Sequence, residues 1–181
     1  MTTIVIDYEN QMVYADKTGT VKHDTSHSLL ERIFIGNSSI DEVTSFVDTQ
    51  EKIRRTSEGY LVTGAGCAST LDGFTGWPNH IPKVPKHKTT VVILFPCGGS
   101  VRELRYTCEE NKSWWRPKKW EQEVTVENKG FSCIGSGGMY ARGALEAGVH
   151  PRDAIKAASR VDFSTGFQVD ERPFDYRKEG K

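Results

Sequence analysis

Apolar and polar positions alternate from the start of the chain. Residues 3–8 and 12–16 are β-rich runs, and Glu9-Asn10-Gln11 is the polar break between them, which predicts a hairpin. Residues 20–50 are polar and weakly patterned. The helical candidate there is Ile40–Val47, with Ser38 or Ser39 as its cap. Lys52-Ile53-Arg54-Arg55 leads to a turn at Ser57-Glu58-Gly59. Tyr60-Leu61-Val62-Thr63 then predicts a buried strand ending in Gly64-Ala65-Gly66-Cys67. Residues 72–88 hold three prolines and two glycines, which favours a loop with one helical turn over a long helix. Thr89–Phe95 and Val101–Tyr106 predict strands joined by a turn at 96–100. Residues 109–119 are a charged loop bearing tryptophans, and Glu121–Val126 alternates as a half-buried strand does.

The later pattern is strand, glycine turn, helix, short link, helix. Phe131–Ile134 is the strand and Gly135-Ser136-Gly137-Gly138 the turn. Met139–Ala147 is a helix closed by Gly148, and Pro151 opens a second helix over Arg152–Arg160. A short strand is expected near Phe167–Val169, and residues 175–181 read as a frayed tail. No internal repeat or domain boundary interrupts the chain. The expectation is one α+β domain over 1–181 with mostly antiparallel strands.

Composition narrows the function. The 181 residues carry 24 Lys plus Arg against 24 Asp plus Glu, a formal net charge of +0. That balance argues against coating nucleic acid or an anionic membrane. The longest apolar run, Val91–Phe95, falls far short of the roughly 18 residues of a membrane span. The first residues lack the basic head and apolar block of a secretion signal. Cys67, Cys97, Cys108 and Cys133 are far apart and read as thiols in a reducing, cytoplasmic compartment, not as a disulfide frame or zinc site. His23, Asp24 and His27 sit in a polar stretch without helical period, so exposed histidines are favoured over metal ligands. Cys97 beside Gly98-Gly99 reads as a turn thiol. Neither a metal nor a cofactor is expected.

The opening Met1-Thr2-Thr3 carries the first hint of chemistry. Removal of Met1 would leave Thr2 with a free α-amine beside its own hydroxyl. An N-terminal amine has a reference pKa of about 7.7–8.0, so near neutrality it can act as base for that hydroxyl. Many proteins begin this way without being enzymes. Four further features strengthen the hint: Asp16 at the end of the first hairpin, Lys52 ahead of the next strand, Gly64-Ala65-Gly66 at that strand's end, and Gly135-Ser136-Gly137-Gly138 followed by Asp162 and Thr165-Gly166.

This ordered set resembles the β-type subunits of the proteasome and the bacterial HslV-type peptidase, which are N-terminal-nucleophile hydrolases. It is also similar to short proteasome-like proteins encoded by tailed phages, which share the Met-Thr-Thr-Ile opening and an ending like Ala157-Ala158-Ser159-Arg160-Val161-Asp162-Phe163-Ser164-Thr165-Gly166. The resemblance implies a four-layer αββα sandwich and a threonine peptidase acting on peptide or protein substrates, in the host cytoplasm if phage-encoded. It assigns Thr2 as nucleophile, Lys52 as the cation beside its hydroxyl and Asp16 as the carboxylate holding Lys52. It places the oxyanion donor at the backbone of Gly64 or Ala65, and Ser136, Asp162 and Thr165 around the amine.

The chain departs from that family in three places. The stretch between Asp16 and Lys52 is longer, so 21–50 reads as an insertion. The stretch between Cys67 and Thr89 is shorter, so one helix layer is reduced and the apolar face beneath needs cover from residues 25–50, from a partner, or goes without. A homo-oligomeric ring and an ATPase partner are therefore not assumed. The third departure is the insertion-like segment 107–120, where Lys112-Ser113-Trp114-Trp115-Arg116-Pro117-Lys118-Lys119-Trp120 mixes cations with aromatics. It is weighed as tryptophans packed on a sheet, ahead of an interface or a nucleic-acid contact. The alternative to the enzyme is an inactive member of the fold with a structural or interaction role.

Overall fold

The first hairpin forms as its alternation dictates. In the computed structural model, which describes residues 2–23, 43–47, 50–97, 100–109, 119–127 and 129–174, strand β1 (Thr3–Asp7) pairs antiparallel with β2 (Met12–Asp16), Ile4 opposite Ala15 and Asp7 opposite Met12. Strand β3 (Gly19–His23) pairs with β4 (Val43–Val47). Strands β5 (Ile53–Arg55), β6 (Leu61–Ala65), β7 (Thr89–Cys97), β8 (Ser100–Cys108) and β9 (Glu121–Glu127) form a five-stranded antiparallel sheet in chain order. Strands β10 (Phe131–Gly135) and β11 (Val169–Pro173) complete a four-stranded sheet ordered β10-β1-β2-β11. The helices are α1 (Ala68–Gly73), continued by a 3₁₀ turn at Phe74–Gly76, then α2 (Gly138–Glu146) and α3 (Pro151–Ser159). The protein is a mixed α+β structure built on antiparallel sheets.

Strand periodicity divides the core. Successive side chains on a strand point to opposite faces, so Ile4 and Ile6 of β1 meet Val92 and Leu94 of β7, Leu61 of β6 and Phe174 in one apolar cluster that joins the two larger sheets. Val5 and Tyr14 point the other way, onto Ala141 and Leu145 of α2 and Ala154, Ile155 and Ala158 of α3. With both faces covered and neighbours on both edges, all five residues of β1 are buried. Helix α3 starts on Pro151, with the His150 ring accepting from Arg152 N at 3.3 Å, and the chain turns away just past the C-cap of α2 at Gly148, whose φ is +81°. Ile155 is 0% exposed beneath α3. We expect Ile155→Val to cost about 0.5–1.5 kcal/mol in urea unfolding, the loss of one packed methyl group.

The outer face of the five-stranded sheet has its own cover. Leu71, Phe74 and the half-buried Trp77 and Trp120 pack on Val62, Val91, Ile93, Leu104 and Tyr106. The Phe74 ring lies 4.9 Å from Tyr106 and 5.4 Å from Trp120, and Trp120 Nε1 donates to Pro82 O at 3.0 Å. The short, proline-bearing segment after Cys67 thus roofs this sheet itself, with Trp120 from the aromatic loop. Of the expected alternatives for this face, cover from residues 25–50, from a partner or none, residues 25–42 lie outside the described residues, and the cover seen comes from Leu71, Phe74, Trp77 and Trp120. It also gives Trp120 the sheet-packing role; Trp114 and Trp115 lie outside the described residues.

Other expectations need correction. Val43–Val47 is a strand, not the end of a helix, because its β-branched residues suit a ladder against β3; Ser38, Ser39 and Ile40 lie outside the described residues. The strands flanking 96–100 run longer than expected, so Cys97 pairs with Ser100 inside the ladder. Thr107 and Cys108 continue β8, so the first two residues of segment 107–120 are strand; residues 110–118 lie outside the described residues. Strand β9 is more exposed than expected, with Glu121–Val124 facing solvent, since it closes the sheet as an edge. The tail strand forms at Val169–Pro173, beyond the expected position; it is also an edge, where Pro173 costs no ladder bond to a further strand. Asp24, His27 and residues 175–181 are outside the described residues. Among the described residues no helix is long and apolar enough to cross a membrane.

Candidate active site

Thr2 immediately precedes β1 and is 5% exposed. It lines a narrow cleft with Lys52, Gly64, Ala65, Gly66 and Cys67, at the point where β1 of one sheet faces the ends of β5 and β6 of the other. The open volume there is about 20 Å³, close to one water molecule. The Cys67 thiol is drawn below its usual range, chiefly by the Ser69 hydroxyl at 3.1 Å and against the effect of burial.

Lys52 and Asp16 form a buried pair. The ammonium lies 2.9 Å from each carboxylate oxygen, and the residues are 4% and 0% exposed. Burial pushes the Lys52 ammonium below its usual pKa, while the charge and hydrogen bonds of Asp16, then the charge of Asp162, pull it back toward the protonated form. The carboxylate is held from three other directions. Oδ1 accepts Thr3 N at 2.7 Å; Oδ2 accepts Gly166 N at 2.8 Å and Thr18 N at 3.2 Å. An ion pair this dry persists when hydrogen bonds satisfy the remaining oxygen lone pairs, and here backbone amides do so.

A second cluster surrounds Asp162. Its Oδ2 accepts from Ser136 Oγ at 2.6 Å and from Thr165 Oγ1 at 2.7 Å; its Oδ1 accepts from Ser164 Oγ at 2.6 Å and Ser164 N at 3.1 Å. Burial alone would raise the Asp162 carboxyl. The donors from Ser136, Ser164 and Thr165 outweigh it, and the carboxyl titrates at about 2. A folded-state value below the unfolded value near 3.8 stabilises the fold in full above that unfolded value. The contribution is then lost as pH falls through about 2. We expect the Asp162 carboxyl carbon signal to titrate near pH 2 in NMR, and Asp162→Asn to flatten the acid limb of the stability curve. A midpoint near 4 would contradict the geometry.

Thr3 and Gly166 join the two clusters. The Thr3 amide binds Asp16, and its hydroxyl sits 2.6 Å from that of Thr165; the Gly166 amide reaches across to Asp16. Two glycines permit this crowding. Gly135 has φ +96°, and a Cβ there would collide with the Thr2 carbonyl. A Cβ at Gly137 would collide with the Thr3 hydroxyl and lie 2.5 Å from that of Thr165. Gly64 is also closely met, with the Thr90 carbonyl 2.5 Å from where its Cβ would be.

The sequence-named residues therefore assemble into linked groups. Thr2, Lys52 and Gly64 share the cleft, Asp16 holds Lys52, and Ser136, Thr165 and Asp162 form the adjoining hydroxyl–carboxylate cluster. Thr3, Thr18, Ser164 and Gly166 contribute contacts that sequence reasoning gave no role. The run Phe163-Ser164-Thr165-Gly166 carried the available signal, because small polar residues after a helix-closing aspartate invite turn hydrogen bonds. Among the described residues there is no group of three or more His, Cys, Asp or Glu able to hold a metal ion. No model of a known protein family matches the chain, and no curated protein matches it.

Proposed function

We propose that the protein is a threonine-type peptidase of the proteasome and HslV-like class, with the αββα layering of the N-terminal-nucleophile hydrolases and one helix layer shortened to α1. The observation that carries this reading is the burial of Thr2, at the mouth of β1, in one cleft with an ammonium clamped by Asp16. Loss of Met1 frees the Thr2 amine, which takes the proton of the Thr2 hydroxyl. The oxygen attacks the peptide carbonyl, forming a C–O bond. The Lys52 charge lowers the energy of the alkoxide, and a backbone N–H at Gly64 or Ala65 receives the developing oxyanion. The amine's proton passes to the departing peptide nitrogen as the C–N bond breaks. Water then cleaves the resulting ester and restores Thr2. The Asp162 cluster positions the amine through Ser136 and Thr165.

The narrowness of the cleft favours a second reading, a silent member of the fold with a structural or interaction role. Two measurements decide between them. Intact mass of the purified protein should be lower than the full sequence by one methionine, and the protein should cleave short fluorogenic peptides. Retention of Met1 together with absent cleavage favours the silent form. The cytoplasmic location, peptide substrate and possible self-assembly belong to this proposal; the free thiols at Cys67, Cys108 and Cys133 suit a reducing compartment.

A further inference from the structure

A second cavity lies at the other end of β1, independent of the threonine cleft. Tyr8 stands six positions beyond Thr2, about 20 Å away at strand rise. The cavity is open, has a volume of about 500 Å³, and lies between the edge strands β9 and β10, beneath the link that carries Lys129 and Gly130 from one sheet to the other. That volume lies within the roughly 300–1,000 Å³ of small-molecule sites.

Its wall is costly to build. Glu103 is 1% exposed and accepts hydrogen bonds from the Tyr8 hydroxyl and from Arg105, whose Nε lies at 2.8 Å. Arg105 also donates to Ser132 Oγ at 3.0 Å, so one network ties β8 to β10 across the gap between sheets. Burial, then the Glu103 charge and hydrogen bond, raise the Tyr8 hydroxyl far above its usual range, so it remains a proton donor. A strut between sheets could be apolar at less expense, since buried charges are dear to desolvate. This one is polar and presents a half-buried guanidinium to an open space.

The residues that line that space carry three cations against two carboxylates. Arg105, Lys129 and Arg142 face it with Glu103 and Glu123. Glu103 is already neutralised by Arg105. Arg142 reaches Glu146 of its own helix at 3.4 Å, and Lys129 makes no ion pair among the described residues. We propose that this cavity binds a small organic anion, a carboxylate or phosphate ester. Lys129 and Arg142 would take its charge, Arg105 and Ser132 would orient it, and Glu123 would accept from a donor elsewhere on the ligand.

The test is a titration of the ¹⁵N-labelled full chain with citrate and, separately, inorganic phosphate, at matched ionic strength. Saturable shifts are expected at the amides of Gly130, Phe131 and Ser132, and the tighter anion names the carboxylate or phosphate class. Lys129→Ala and Arg142→Ala remove exposed side chains, leave the Glu103 network intact and should each weaken binding about tenfold. Linear shifts without saturation, shifts confined to the Thr2 cleft, or equal binding by both variants and the wild type would overturn the proposal. So would preferential binding of arginine amide, a cation of similar size.

Discussion

Thr2→Ala is expected to abolish peptide hydrolysis while the protein stays folded. The rate should fall on the order of 10³-fold or more, as it does when a nucleophile is removed and only binding and oxyanion contacts remain. The fold should survive because Thr2 lies outside the ladder, which begins with Thr3 opposite Gly135. Trimming its buried side chain should cost about 1 kcal/mol, typical of single substitutions. Thr2→Ser keeps both amine and hydroxyl and should retain part of the rate, which distinguishes lost chemistry from lost shape. Equal turnover by Thr2→Ala and the wild type would remove Thr2 from the mechanism and leave the silent reading.

The second large effect is on stability. Asp16→Ala leaves the Lys52 ammonium buried without its carboxylate and strips the amides of Thr3, Thr18 and Gly166 of their acceptor. Removing one partner of a buried pair costs about 3–5 kcal/mol. For a chain of this size that lowers the melting temperature by roughly 6–20 °C. Lys52→Met should behave differently. It fills a similar volume with an apolar stem and leaves Asp16 its three amide donors, so the stability loss is smaller. On the proposed mechanism hydrolysis should still collapse, because the cation that shares the cleft with Thr2 is gone. If Asp16→Ala unfolds with an unchanged urea midpoint, the pair has no structural role and the account of the site is wrong.

Much of the architecture could be read from pattern. The first hairpin was legible because an apolar alternation surrounds one polar break, and α2 and α3 because glycine and proline stand at their ends. Edge strands were harder. Val169-Asp170-Glu171-Arg172-Pro173 shows no apolar face, since an edge needs little burial to stay paired. Glu103 was illegible for the opposite reason. Strand β8 has Val101 toward the inter-sheet core and Leu104 and Tyr106 toward the outer one. A charged residue on such a strand looks like a solvent-facing position, and only the fold reveals Tyr8 and Arg105 waiting for it. At the site, Asp16 and Lys52 are 36 residues apart. No local rule pairs them, so the pairing was expected from family resemblance alone. Thr3 carries no motif that marks it, although its amide and hydroxyl are what bind the two clusters together.

Phe174 closes the described chain from inside the core. Its amide is pinned to Gln11 O at 2.9 Å, and its ring, 1% exposed, is wedged among the aliphatic side chains shared by both sheets. It works as a stopper in the core that the two larger sheets share. Pull the stopper, by Phe174→Ala, and the emptied chamber is of the sort that stays dry and welcomes a guest such as benzene or xenon.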